Sequence, residues 1–433
     1  MEEILDLASK VAEEAEIFWV SSEETPVTFQ ANHLKAIQSK QSSSVSLRLI
    51  KNGRLGYAAA SGQIDKQKLV DNALETAQFG IQAKFNFSSA KSFPQVNIFD
   101  PEVESVPISE MIELGQRLID PIISSNRDIL CDAGISKNTV SLNIINSRGG
   151  QAGYKKTTFG LGVGGTLIRD TDMLFVGEGQ ESCHPLRDTV TIIDTVLHQL
   201  ELAKDLAVAP NRQLPVIFTP DGVASALIPA LMAAFNGKIV LQGASPIGQR
   251  LGELVFDTNF SLFDDPTIDY APHSRPCDDE GIISQRTALV ENGIVRNFLY
   301  DMQTAGQAKT KSTGSGARGR GGLISPSPSA FVINTGNIAF AEMVKNIKEG
   351  LVIEQLMGAE QGNILGGEFS GNILLGYKIE NGKIVGRVKN TMISGNVYQI
   401  LKDVTAFSNE GKWVGGGIFT PHIFCSKIAV ASK

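Results

Sequence analysis

Apolar positions at the start of the chain fall into a helical stripe. Ile4, Leu5, Leu7, Ala8, Val11 and Ala12 predict a helix over Glu2–Glu14. The period then shortens to two. Glu16–Val20 is a short apolar strand, and Ser44, Ser46 and Arg48 alternate with Val45, Leu47 and Leu49, so that strand has one polar face and one buried face. Asn52-Gly53 follows as a hairpin turn, because both residues tolerate the positive φ that a type I′ turn requires, and Gly56–Ala60 returns as the partner strand. Helical patterns cover Asp65–Phe79, Ile108–Ile123 (despite Pro121) and Asp188–Ala207, the last stopping before Pro210. Val140–Ile145 and Thr157–Ile168 read as strands.

A boundary falls in the stretch VAPNRQL, Val208–Leu214. Beyond it come a strand at Pro215–Phe218, a short helix within Asp221–Phe235 and a strand-rich remainder. Asn292-Gly293 and Asn381-Gly382 each sit between apolar alternating runs and predict two further hairpins. No short-period repeat is present. The chain's 433 residues suit two or three domains at about 100–200 residues each. The expected fold is α+β with two domains: residues 1–209, of mixed helices and strands, and residues 210–433, strand-rich with antiparallel hairpins and a few helices. Lys309–Pro328 (KTKSTGSGARGRGGLISPSP) is too rich in Gly and Ser to hold regular structure cheaply and reads as a mobile surface loop. Its backbone amides, with Arg318 and Arg320, can cradle an anion, and the functional alternative is a flap that covers a groove or contacts substrate.

Charge and cysteine usage narrow the function classes. The formal net charge is -7, which argues against a nucleic acid as the main partner, since phosphate binding needs a basic surface. Cys131, Cys183, Cys277 and Cys425 are scattered rather than spaced as a disulfide framework, which suits a reducing cytoplasm. The acidic amphipathic N-terminus lacks the basic and apolar blocks of a signal peptide. The most apolar helix-like stretch, Ala224–Phe235, falls short of the ~20 residues a membrane span needs, so no membrane association is expected.

The motifs with chemical content are few. Gly160-Leu161-Gly162-Val163-Gly164-Gly165 has G-x-G-x-x-G spacing, but a strand-like segment follows where a dinucleotide site needs a helix, so it reads as a Gly-rich strand. There is no phosphate-loop motif and no G-x-S-x-G elbow. None of the five histidines (His33, His184, His198, His273, His422) belongs to H-E-x-x-H. Cys183-His184, His273 with Cys277, and His422 with Cys425 are N/S pairs that a Zn²⁺ site would need to converge. They read as turn and core residues, with a convergent metal site as the alternative. Asp278-Asp279-Glu280-Gly281 reads as a solvated acidic turn rather than an acid–base or cation site.

Six segments of the second half carry a resemblance in order: DDEGIISQRTALVENG (Asp278–Gly293), KSTG (Lys311–Gly314), GLVIEQLMG (Gly350–Gly358), GEFSG (Gly367–Gly371), YKIENG (Tyr377–Gly382) and ISGN (Ile393–Asn396). Together they resemble the TldD/PmbA family, also called modulators of DNA gyrase. The first half agrees with it in length and general layout. The TldD branch of that family has a helix with H-E-x-x-x-H and a late Cys that complete a zinc site. On this chain the corresponding helix is Leu227–Phe235, and Pro229, Ala230 and Ala234 stand where the two His and the Glu would be. The late Cys falls at Gly415, and Cys425 lies beyond it. The chain therefore resembles the PmbA (TldE) branch, which lacks the motif.

What the resemblance implies is a noncatalytic component of a metallopeptidase system in proteolysis or peptide maturation. Such a chain would help enclose or present an unstructured peptide, through strand addition to a sheet edge, to a zinc-bearing TldD-like partner. A homodimer is the other assembly the resemblance allows. Two different readings stand beside it: a peptidase with an atypical metal site built from His273, Cys277, His422 and Cys425, and a non-enzymatic regulator of another protein. No catalytic, cofactor-binding or metal-ligating residue, and no cofactor, is assigned to this chain. Elemental analysis of the dialysed protein is accordingly expected to find well below one Zn per chain; a stoichiometric ion lost on replacing those His and Cys residues would reverse this assignment.

Overall fold

The computed structural model describes residues 1–170, 172–319 and 322–432. The first half contains α1 (Glu2–Ser9), β1 (Glu14–Gln30), β2 (His33–Ile37), β3 (Lys40–Lys51), β4 (Arg54–Ser61), α2 (Lys66–Phe79), α3 (Pro101–Ser105), α4 (Ile108–Ser125), β5 (Leu130–Asn146), β6 (Gln151–Arg169), β7 (Asp172–Ser182) and α5 (Val190–Leu202). Its strands form one antiparallel sheet in the order β4-β3-β1-β5-β6-β7, with β2 hairpinned onto β1. The N-terminal helix is shorter than its stripe predicts. The helix ends at Ser9 and residues 10–13 form a turn, so that Glu14 can enter β1, which pairs with β3 from Glu14↔Ile50 and with β5 from Glu16↔Asn146.

The second half contains β8 (Leu206–Ala207), β9 (Gln213–Phe218), α6 (Pro220–Ala226), α7 (Ile228–Phe235), α8 (Gly237–Leu241), β10 (Leu262–Asp264), β11 (Thr287–Glu291), β12 (Ile294–Val295) and α9 (Met302–Ala308). It continues through β13 (Gly316–Arg318), β14 (Ile324–Pro326), β15 (Phe331–Ile333), α10 (Phe340–Lys345), β16 (Glu349–Met357), β17 (Glu368–Glu380), β18 (Lys383–Val388), β19 (Thr391–Asn396), α11 (Val397–Lys402), β20 (Val404–Val414) and β21 (Ile418–Ser432). All but β13 and β14 of these strands join one large mixed sheet. The three Asn-Gly turns form as expected, with φ of 51° and 68° at Asn52-Gly53, 49° and 76° at Asn292-Gly293, and 50° and 78° at Asn381-Gly382. No helix is long and apolar enough among the described residues to cross a membrane.

The first sheet is buried on both faces over much of its area. On one face, Ile17, Leu47 and Leu49 pack against α1 and α2. Farther along, Ile135, Leu161 and Val163 pack against α4 and α5 in a cluster that Ile217, Val352, Leu375 and Tyr377 of the second sheet also join. The opposite face carries Glu16, Phe18, Ser46 and Arg48, and here the structure corrects the sequence reading. This polar face does not meet water: Ser46 and Arg48 are 7% and 6% exposed. What covers it is the acidic turn at Asp278–Glu280, expected to be solvated; Asp278 is fully buried and Glu280 is 1% exposed.

The charges explain the burial. Glu16 and Arg48 are directly opposed across β1 and β3, with Arg48 Nε donating to Glu16 Oε1 at 3.0 Å. Arg48 Nη1 donates to Glu280 Oε1 at 2.6 Å, and Arg318 Nη2 donates to Glu16 Oε1 at 2.8 Å. The Arg48 guanidinium lies 5.3 Å from the Phe87 ring centroid and that of Arg318 lies 4.4 Å from Phe18. Arg318 thus anchors the segment expected to be a mobile loop, which instead forms the β13–β14 ribbon; Gly316 N–H donates to Asp278 Oδ2 at 2.8 Å. A Cβ at Gly316 would lie 2.8 Å from Glu280 Oε2, so glycine there serves close packing rather than looseness. Arg320 lies outside the described residues.

Removing one partner of a buried pair leaves the other charge uncompensated, which typically costs about 3–5 kcal/mol. Arg48→Met is expected to lower the denaturation midpoint markedly, and Glu16→Gln combined with Arg48→Met to lose less than the sum of the single changes. Denaturant titration of the two single variants and the double variant measures this coupling.

Candidate functional site

One edge of the first sheet is β7, and its outward backbone groups can be identified by parity. Met173 C=O accepts from Arg387 Nη1 at 3.0 Å, and Gly177 N–H donates to Gln199 Oε1 at 2.9 Å. Odd-numbered residues of β7 therefore turn their amides away from β6, and Gly179 and Glu181 do so next. Beside them lies a cleft of about 810 Å³. One wall is this edge with Thr191 and Thr195 of α5; the other is Asp221 in the first turn of α6 and Lys412–Gly416, where β20 turns into β21. Gly415 and Gly416 make that turn with φ of 55° and 67°, a conformation that L side chains adopt at a cost.

The cleft is net acidic, with Glu178, Glu181 and Asp221 against Lys412. Lys412 Nζ donates to Glu178 Oε2 at 2.5 Å and to Asp221 Oδ2 at 3.0 Å. Burial opposes the lysine's charge, but Asp221 and Glu178 override it and hold the ammonium above the usual lysine range. Glu178 also accepts from the Gly179 N–H at 2.8 Å. Burial raises Glu181, against the pull of Lys156. Behind the edge, Gln199 Nε2 donates at 2.8 Å to Glu354 Oε2 on β16. Burial pushes the Glu354 carboxyl up to about 7, with the Gln199 hydrogen bond working against the rise. The lining contains neither His nor Cys.

Residues 211–432 match the PmbA/TldA metallopeptidase C-terminal domain, and residues 15–77 match PmbA/TldA metallopeptidase domain 1. The chain belongs to the PmbA/TldD family. Among its relatives is an uncharacterized protein of Methanocaldococcus jannaschii, 27% identical over 93% of each chain. Another is a metalloprotease of Methanothermobacter thermautotrophicus, 23% identical over 94% of this chain and 90% of that one. The fold is that of TldE from Thermococcus kodakarensis, with a TM-score of 0.89, 21% identity and full coverage of both chains.

A metallopeptidase family implies a metal, and the donors present do not fit one. Pro229, Ala230 and Ala234 lie on α7, where Ala230 and Ala234 are core residues packed among Leu231 and Phe235. None carries a ligand atom in its side chain. Among the described residues no three His, Cys, Asp or Glu side chains gather as a metal site. Burial pushes the thiols of Cys277 and Cys425 up to about 12, away from the thiolate a metal needs. His422 stacks on Phe340 at 4.4 Å, and burial takes its imidazole down to about 4. The G-x-G-x-x-G run lies wholly within β6, where Gly162 and Gly164 face Gly179 and Gly177 of β7. Of the residues singled out from sequence, Gly160 and Gly415 line the cleft.

Sequence reasoning missed Gln199, Glu354, Glu178, Asp221 and Lys412. Only Gln199 left a signal. It continues the buried stripe of α5 after Ile192 and Val196, and a polar residue at such a position needs a partner.

Glu354 supplies a pH test. Its folded pKa of about 7 lies above the ordinary carboxyl value of 4.5, so its contribution is complete below pH 4.5 and is lost as pH rises through 7. Glu354→Gln should remove that decline, and its stability relative to wild type should grow by at most about 3 kcal/mol between pH 4.5 and 8. Thermal melts across that range would show a constant difference if Glu354 titrates normally.

Proposed function

We propose that this chain is the noncatalytic, PmbA/TldE-type component of a peptidase system, and that it holds an unstructured peptide in extended form beside β7. The observation that carries the reading is the pairing of an open sheet edge with a cleft that lacks a reacting centre. An extended chain can bond to the outward groups of Gly179 and Glu181 through its own backbone, which gives affinity without demanding a sequence. The cleft offers carboxylates, one lysine and hydroxyls, but no nucleophile with a base and no metal-binding set. Hydrolysis then falls to a zinc-bearing TldD-like partner. Correct placement of a peptide can lower a barrier by roughly 7–11 kcal/mol at best, so a subunit without a reacting centre still has a large effect to supply. The family membership and the metalloprotease relative support proteolysis as the setting. The cytoplasm, where free thiols persist, is the proposed compartment.

Gly179→Pro is the direct test. Proline removes one outward N–H, leaves the ladder to β6 intact and is tolerated on edge strands; a Cβ there meets nothing nearer than 3.4 Å. The isolated chain should not cleave an unstructured peptide, and its mixture with the cognate TldD-like chain should cleave faster than either alone. The variant should fold normally and lose most of that acceleration. A cognate peptidase equally active without this chain would refute the proposal.

A further inference from the structure

We infer that Gln199 is a built-in stop on the β7 edge, and that the slot beyond it takes the free amino terminus of an extended peptide. The inference rests on reading the cleft as a strand-addition site and specifies which end of the peptide enters it.

Gln199 behaves as one residue of a neighbouring strand. Its Oε1 accepts from Gly177 N–H at 2.9 Å and its Nε2 donates to Gly177 C=O at 3.3 Å, the two bonds that a directly opposed residue of an antiparallel strand would exchange with it. The second Nε2 proton goes to Glu354 Oε2 at 2.8 Å, which fixes which end of the amide meets the Gly177 N–H. The side chain is 4% exposed and held by a packed helix, so an incoming chain does not displace it readily. Added backbone can therefore start no earlier than the next outward position, Gly179. There, among the described residues, the N–H is held by Oε1 of the adjacent Glu178, whose Oε2 is bound to Lys412, and a peptide carbonyl would take the place of that Oε1 contact.

The charges at this position select the end. Glu178 and Asp221 share the single ammonium of Lys412, leaving one negative charge in excess, and Glu181, partly offset by Lys156, lies two residues along β7 from Gly179. An amino terminus lodged at Gly179 supplies the missing cation. A carboxyl terminus there would bring a further anion into a partly buried acidic slot. With its amino end against Gln199, the peptide runs from Gly179 towards Glu181, parallel to β7. The ligand class is thus an extended peptide with a free α-amino group, largely independent of side-chain sequence.

The test is fluorescence anisotropy on the full chain with an unstructured peptide of about eight residues in three forms: free, N-acetylated and C-amidated. Acetylation should weaken binding roughly tenfold, the scale of one lost charge interaction in a partly buried site, while amidation leaves it unchanged. Gln199→Ala should bind the acetylated form nearly as well as the free one, because the chain can then extend past Gly177. The wild-type comparison needs no variant to fold. Equal binding of the free and acetylated peptides, with Gly179→Pro still weakening both, would overturn the stop and leave the strand-addition reading intact. Binding of no peptide in any form would remove both.

Discussion

Two arginines inside the molecule tie its two halves together. Arg48 and Arg318 are nearly inaccessible, and a lone charge so placed would cost several kcal/mol to desolvate. They are tolerable because Glu16 and Glu280 face them, and because Phe18, Phe85 and Phe87 offer their rings to the remaining guanidinium surface. The partners come from both halves of the chain: Glu16 and Arg48 from the first sheet, Glu280 and Arg318 from the second half. Neither half can bury its charges alone. An apolar contact would tolerate sliding, whereas these hydrogen bonds have fixed directions, so the layer specifies one relative placement of sheet and turn.

That placement creates the cleft. With the acidic turn seated on β1 and β3, the second half continues along the first sheet and brings Lys412–Gly416 opposite the β7 edge. Open edges invite unwanted pairing, and proteins usually cover them. Here the cover is selective. Arg387 bonds the edge at Met173 and Gln199 bonds it at Gly177, while the Gly179 N–H meets the carboxylate of its neighbour Glu178. The cover leaves only a short stretch of the edge beside the acidic cleft.

On α7, Ala230 and Ala234 face Phe235, Leu231 and the rest of the second core. Their small apolar side chains let the helix sit close to its neighbours. Ionisable or ligating side chains placed there would be buried without partners, so these two positions are committed to packing.

The residues alone determined the parts of this protein set by local chemistry. Asn-Gly at 52–53, 292–293 and 381–382 could specify their turns because positive φ is a property of those residues and not of their surroundings. The strands around them, the helices at 66–79 and 108–125, the strand nature of the G-x-G-x-x-G run and the family were legible for the same reason: each rests on spacing along the chain. What only the tertiary structure decided is where polar residues go. The end of the predicted first helix became a turn, which delivers the chain into β1 beside β3 and β5. Arg48, the Asp278–Glu280 turn and the Gly-rich segment through Arg318 all carry water-seeking side chains or flexible backbone, and by themselves they read as surface. They are buried because each finds its counter-charge more than two hundred residues away in the chain. The cleft follows the same rule, since Glu178, Asp221, Glu354 and Lys412 become a site only when folding brings four separate segments to one edge.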